Sequence, residues 1–219
     1  MNAQAAEYHC WYAVSREEAL RKGECLWAVY HRFLRDAPVV DLGCGEGAFL
    51  LLLKEKGHSR LLGVDSSAEL CRRAESFGVS VEHADLLEFL RGRKLEPAVY
   101  FYLDVIEHAP FEFNLEVFRS LPVGSRLIIQ TPNTNSVLGH QFYMQVPSHV
   151  APYSPRVIHE MLERCGYGLV AEGTMTGNHL PTWKNKLRAY FIRKVLGLEP
   201  EVLHGGGNYY AVADRVRET

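Results

Sequence analysis

Apolar residues in this chain fall into short continuous runs, separated by stretches in which they recur at helical spacing. Seven runs read as strands: 38–42, 61–65, 79–83, 98–103, 125–131, 169–173 and one around 209–213. Helical patterns lie between them. One over 48–56 stops at Gly57, and a second runs through Leu70 and Ala74 to a stop at Gly78. A third lies near 113–121, and Ser154 and Pro155 read as a cap and first-turn proline opening a helix to about Cys165. Gly166 or Gly168 ends that last helix. Ahead of the first strand, Ser15 and Glu18 have capping-box spacing. The helix they open is expected to bury Leu20, Trp27, Tyr30 and Phe33 or their neighbours. Strands alternating with helices predict an α/β fold, a doubly wound, seven-stranded and mostly parallel sheet with helices on both faces.

Two stretches break this rhythm. Residues 132–153 are rich in Pro, Asn, Ser and Gly and read as a long irregular connection of the kind kept for function. Residues 175–200 form a second insertion before the last strand. Within it, 182–196 is amphipathic: Trp183, Leu187, Tyr190, Phe191 and Leu196 lie towards one side, with five basic residues around the rest. Such a helix fits a lid or an oligomer face, a membrane or lipid-linked substrate surface, or a solvated surface with no partner.

Composition narrows the class. At 219 residues the chain is long enough for one well-buried core, so one domain over 1–219 is expected. A net charge of −2 gives no electrostatic reason for a nucleic-acid partner, whose phosphates would call for a basic patch. No run of 18 apolar residues marks a membrane span, and the first residues lack a signal-peptide pattern. The five cysteines are odd in number and form no C-x-x-C pair, which favours free thiols in a reducing cytoplasm. Monomer and homodimer both remain open.

The strongest chemical signal is Val39-Val40-Asp41-Leu42-Gly43-Cys44-Gly45-Glu46-Gly47, an apolar strand running into a turn with alternating glycines and then a helix. Glycine serves where backbone must take positive φ and approach a ligand closely. The carboxyl end of the first strand is where open α/β sheets bind ligands. Asp41 precedes the first glycine, where a dinucleotide-binding turn usually carries an apolar residue. Asp65 ends the second strand, placed to accept hydrogen bonds from ribose hydroxyls. Asp85 follows the third, placed to meet the exocyclic amine of an adenine. Each acid alone also reads as a helix cap. Three at successive strand ends point to a ligand.

D-L-G-C-G-E-G, with the later V-D-S, A-D-L and L-D-V-I-E-H segments in order and spacing, resembles the class I S-adenosylmethionine (SAM)-dependent methyltransferases over roughly 38–173. The resemblance implies SAM as cofactor. Gly43, Cys44 and Gly45 would present backbone to its methionine part, with Asp41 beside them. Asp65 and Ser66 would serve the ribose, Asp85 and Leu86 the adenine, and Leu103 the ring or sulfonium. His9-Cys10-Trp11-Tyr12 and Arg16 resemble a segment of a bacterial glycan and small-metabolite subgroup, with Cys10 departing from its pattern. There the segment closes over the cofactor, which makes 1–36 a helical lid and adds Trp11, Tyr12 and Arg16 to the cofactor site.

Methyl transfer needs alignment of donor and acceptor and, for a hydroxyl, removal of a proton. Asp104, Glu107 and His108 follow the fourth strand, and if they start a helical turn they share a face. His140 and His149 lie in the irregular segment. L-D-V-I-E-H with a later histidine resembles O-methyltransferases of ubiquinone biosynthesis and others acting on the 3′ end of small RNAs. In the RNA group two glutamates and two histidines hold a divalent metal; the matching positions are Asp104, Glu107, His108 and His149, with Asp104 one methylene shorter. His149 as a metal-free general base, a mixed N/O metal site, and a structural role for Glu107, His108 and His149 stay open. The expected function is methyl transfer from SAM to a small-molecule hydroxyl, on a sugar or a phenol. The alternatives are a non-catalytic SAM-binding protein and a nicotinamide oxidoreductase, against which Asp41 and the lack of G-x-G-x-x-G speak.

Overall fold

A computed structural model describes residues 15–175 and 207–219, together with residue 194. Seven strands are present among them: β1 (Val39–Leu42), β2 (Leu61–Asp65), β3 (Val81–His83), β4 (Val99–Leu103), β5 (Arg126–Pro132), β6 (Tyr167–Met175) and β7 (Asn208–Arg215). They hydrogen-bond in the order β3-β2-β1-β4-β5-β7-β6. The helices are α1 (Arg16–Tyr30), α2 (Ala48–Glu55), α3 (Ala68–Ser76), α4 (Leu86–Arg91), α5 (Phe111–Ser120), α6 (Val137–Met144) and α7 (Pro155–Arg164). None of the described helices is long and apolar enough to cross a membrane. The chain divides into two compact units, Met1–Phe101 and Tyr102–Thr219.

In the first unit β1 pairs in parallel with β2 on one side and β4 on the other, and β2 with β3. The order of strands reverses between β1 and β4, which makes the crevice there the switch point where such sheets take ligands. The core is a continuous apolar layer of Leu42, Leu50, Leu51, Leu53, Val64 and Phe101, all at 0% exposure. α2 is apolar on almost every side because five of its eight residues, Phe49 to Leu53, are buried. α1 packs on it through Gly23, where a Cβ would lie 2.7 Å from the Ala48 carbonyl oxygen. Ser15 caps α1 by accepting from the Glu18 N–H, as the sequence predicts. Its buried residues, however, are Ala19, Gly23 and Tyr30, while Leu20 and Trp27 are half-buried. Trp27 instead stacks on His31, with the Lys56 ammonium 4.8 Å from its ring.

In the second unit β7 pairs antiparallel with both β5 and β6. Leu127, Ile128 and Ile129 of β5 and Ala211, Val212 and Ala213 of β7 form the buried centre. β6 extends two residues beyond its predicted run at each end, and β7 one residue before and two after, held by pairing from Tyr167↔Arg215 to Met175↔Asn208. Arg215 crosses to the carboxyl end of α5, donating to the carbonyls of Phe118 and Leu121, where a cation suits the helix dipole.

Three local expectations are corrected. The third strand is only Val81–His83, because Val79 belongs to the Gly78 turn, its N–H donating to the Ala74 carbonyl. α4 follows at once, capped by Asp85, a helix too short to show a period in the sequence. The stretch 132–153 is not irregular throughout: α6 occupies Val137–Met144, capped by the Ser136 hydroxyl. The amphipathic stretch 182–196 lies outside the described residues apart from Lys194.

Candidate active site

The first unit supplies an acidic, glycine-lined turn. Gly43, Gly45 and Gly47 take φ of 79°, 55° and 72°, so the chain reverses between β1 and α2 in a conformation that other residues adopt with strain. The N–H groups of Gly43 and Cys44 donate to the Val64 carbonyl, and that of Gly45 to Asp65 Oδ2 at 2.8 Å. Those donors being engaged within the fold, the turn has carbonyl oxygens to offer a ligand, which suits a cationic group. Gly63 on β2 leaves room for Cys44; a Cβ there would come within 2.6 Å of Sγ.

Electrostatics points the same way. Asp41 is 4% exposed. Burial, and after it the Asp65 carboxylate, push Asp41 up to about 7. Burial also raises Asp65, against the hydrogen bonds from Ser67 and Gly45 N–H. Two carboxylates crowded at one strand edge favour a ligand carrying positive charge and disfavour a pyrophosphate. That fits the ammonium and sulfonium of SAM and weighs against a nicotinamide dinucleotide.

Other predicted cofactor residues are distributed as follows. Ser66 follows Asp65, its carbonyl 3.1 Å from His83 Nε2. Asp85 is exposed and caps α4, accepting from the N–H groups of Leu87 and Glu88, and Leu86 beside it is 8% exposed. Leu103 is half-buried at the end of β4. Arg16 is not at the turn: it pairs with Glu55 at 2.5 Å, at the opposite end of α2, a helix about 12 Å long. Trp11 and Tyr12 lie outside the described residues. Sequence reasoning missed Glu46, 4% exposed and held between Lys22 at 3.0 Å and Arg73 at 3.8 Å. Its place among the glycines was the available signal.

The second unit gathers Glu107, His108 and His149. Their candidate ligand atoms all lie within 4.8 Å of one another. Glu107 is 1% exposed, its Oε2 accepting from the Thr131 hydroxyl at 2.9 Å, while Oε1 lies 3.9 Å from His149 Nε2. Burial, and then Asp104, push Glu107 up to about 8. His149 Nδ1 sits 2.7 Å from the Tyr143 carbonyl and His108 Nδ1 3.2 Å from the Ser148 carbonyl. A carbonyl only accepts, so each Nδ1 carries the hydrogen and each Nε2 keeps its lone pair. Burial lowers His149, which favours the neutral ring. The rings of His108 and His149 meet edge to face at 4.7 Å, and Tyr143 stacks on His149 at 5.0 Å.

A buried network fixes this turn. Asn114, 0% exposed, accepts from the Tyr102 hydroxyl at 2.7 Å and donates to the carbonyls of Ile106 at 3.0 Å and Ala109 at 3.2 Å. The Tyr153 hydroxyl donates to the same Ala109 carbonyl at 2.8 Å. Residues 106–108 form a 3-10 turn, from which the Glu107 carbonyl accepts from Val150 N–H. Asp104 departs from expectation: its φ of 54° puts it outside any helical turn, and its Oδ2 accepts from Gln130 at 2.6 Å. It therefore shares no helix face with Glu107 and His108, and among the described residues the cluster that could hold a metal has three members, not four. His140 is exposed on α6 and takes no part. Asn114, Thr131 and Gln130 gave no signal in the sequence, because a single buried amide or hydroxyl has no period.

Residues 17–172 match the family model described as a methyltransferase domain. The chain belongs to this methyltransferase family. Its class is the SAM-dependent one, class I. The methyltransferase is 34% identical over 126 residues to trans-aconitate 2-methyltransferase of Azoarcus sp. (strain BH72), a match covering 55% of this chain and 48% of that protein. It thus spans about half the length of that curated relative. Among solved structures it is similar to a SAM-dependent methyltransferase from Archaeoglobus fulgidus, with a TM-score of 0.72 at 22% identity over 91% of this chain and 94% of that one. It is also similar to magnesium protoporphyrin IX methyltransferase from Synechocystis PCC 6803, crystallised with bound SAH. There the TM-score is 0.57 at 17% identity, over 93% of this chain and 88% of that one.

Proposed function

We propose that this methyltransferase carries the methyl group of SAM to a hydroxyl of a small molecule, a sugar or a phenol. Asp41, Gly43, Cys44, Gly45, Asp65, Ser66, Asp85, Leu86 and Leu103 serve the cofactor, and Glu107, His108 and His149 serve the acceptor. When bound, SAM supplies an electrophilic methyl carbon on a sulfonium. The observation that carries the acceptor role is the gathering of His108, His149 and the buried Glu107, with each Nδ1–H anchored on a carbonyl so that each ring keeps its Nε2 lone pair.

His149 Nε2 would take the proton of the acceptor hydroxyl, while bound SAM would supply the methyl carbon to that oxygen, its sulfur leaving with the bonding pair. The proton then leaves to solvent, and the products are a methyl ether and S-adenosylhomocysteine. Glu107 Oε1 lies 3.9 Å from that nitrogen, and once Glu107 ionises, above about pH 8, it stabilises the charge His149 acquires. General-base help of this kind contributes about 10²–10⁴-fold. His149→Ala is expected to lower turnover at least tenfold with SAM affinity unchanged by calorimetry. Unaltered turnover would remove the role. The free thiols of Cys25, Cys44, Cys71 and Cys165 fit a cytoplasmic setting.

A divalent cation on the same atoms is a second reading, favoured by the way both Nδ1–H groups are anchored on carbonyls, as in metal-ligating histidines. The residues fit such an ion: two nitrogens and one carboxylate oxygen suit Mn, Fe or Zn better than Mg or Ca, and three protein ligands leave positions open. Cobalt(II) titration of chelator-treated protein should give a visible spectrum that His108→Ala abolishes; no spectrum rules the ion out.

A further inference from the structure

We infer that the acceptor is an uncharged molecule bearing its hydroxyl on an apolar body, seated against the segment 137–150. This deepens the proposed function and rests on it. From Leu127 to Pro155 the chain contains no Asp, Glu, Lys or Arg. The chain is 23% charged, so 29 average residues would hold about seven such side chains. The segment that delivers His149 is therefore free of formal charge from Leu127 onward, α6 included; Arg126, the first residue of β5, is paired with Asp214.

The same segment carries exposed apolar side chains. Of the eight large hydrophobic residues exposed among the described residues, four lie here: Val137 at 53%, Phe142 at 38%, Met144 at 68% and Val150 at 60%. Scattered singly they would mean little; four within 14 residues concentrate exposed apolar area on one stretch of chain. That stretch is tied to the acceptor cluster by backbone. Val150 N–H donates to the Glu107 carbonyl at 2.8 Å, and the Tyr143 carbonyl orients His149. Phe142 is wedged against Gly207, where a Cβ would collide with its ring, so α6 is fixed and not merely adjacent.

Charge decides between acceptor classes. A carboxylate or phosphate brought to Glu107 would meet a buried acid with no cation from the segment to offset it. A sugar ring would set polar hydroxyls against Val137, Met144 and Val150. An aromatic ring or short alkyl body with a hydroxyl suits both halves of the surface, apolar contact on one side and Nε2 of His149 on the other.

The test measures binding and turnover together, on protein loaded with S-adenosylhomocysteine for binding and SAM for turnover. The probes are catechol, 4-methylcatechol, 4-butylcatechol, methyl glucoside and trans-aconitate. Affinity by calorimetry is expected to rise about two- to fourfold per added methylene along the catechols, with the glucoside and trans-aconitate at least tenfold weaker than 4-butylcatechol. Met144→Lys should raise KM for 4-butylcatechol at least fivefold with kcat changed less than twofold. Chain-length-independent affinity, or tighter binding of trans-aconitate, overturns the inference. So does a dimer in sedimentation that Met144→Lys dissociates, since the face would then be covered by a second copy. Turnover that is insensitive to His149→Ala while the affinity series holds would instead sink the proposed function alone.

Discussion

The glycine turn of the first unit and the 132–153 segment of the second reach their geometry by opposite routes. The turn is built locally: three glycines at positive φ within five residues, two carboxylates at strand ends, and donors engaged one strand away. The second segment has little local instruction. Its shape comes from contacts between residues 24 to 44 positions apart, such as Thr131 with Glu107, His108 with the Ser148 carbonyl and Tyr153 with the Ala109 carbonyl. A site made by local conformation is robust and general; one made by long-range hydrogen bonds is specific and easily lost. On the function proposed above, that division suits an enzyme whose donor is common and whose acceptor is particular.

The largest effect should come from breaking the long-range side of this comparison. Asn114→Ala removes five hydrogen bonds, four of them fully buried, and should cost about 3 kcal/mol in urea unfolding. Turnover should fall at least tenfold as the 106–109 turn loosens, with SAM affinity kept. Equal loss of SAM affinity would show that the two regions are not separable in this way.

Asp41→Asn probes the local side and should stabilise the protein without ligand. The Asp41 carboxyl is raised from an ordinary 3.8 to about 7, so between those pH values the unfolded chain ionises while the folded one holds its proton. Stability is therefore lost as pH rises across that window, and the loss is complete above pH 7. The variant escapes it. Its melting advantage should be absent below pH 4 and grow to about 4 kcal/mol at pH 8, while SAM binds at least tenfold more weakly.

Gly139→Ala gives a smaller and opposite surprise. Replacing a helical glycine ordinarily stabilises by about 1 kcal/mol. Here the added Cβ would collide with the Asn133 backbone, so a loss of roughly 1–2 kcal/mol is expected in thermal unfolding. Least of all should be Arg16→Ala. The Arg16–Glu55 pair is half-exposed on both sides, and removing it should change stability by under about 0.5 kcal/mol. A SAM affinity altered by more than twofold would restore Arg16 to the cofactor site.

Much of the fold could be read from residue order alone. Strands β1, β2, β4 and β5 fall within a residue of their apolar runs, and the Ser15 and Ser154 caps are where their spacing puts them. What escaped was short or polar: α4 with six residues, the 3-10 turn at 106–108, and α6 inside a stretch whose Pro, Asn and Ser content spoke for a loop. The pairing of Glu107 and His108 could be anticipated from adjacency. Their meeting with His149, forty positions on, could be anticipated only through a resemblance.

By itself the sequence determined the strand rhythm, the glycine turn and the acids at three strand ends, because hydrophobic period and positive φ are properties of neighbours. Tertiary structure alone decided that Asp104 turns away to Gln130, that Arg16 pairs with Glu55, and that two imidazoles gather at one buried carboxyl. Those outcomes depend on which carbonyl or amide lies opposite a side chain once distant segments have packed, and no pattern of neighbouring residues encodes that.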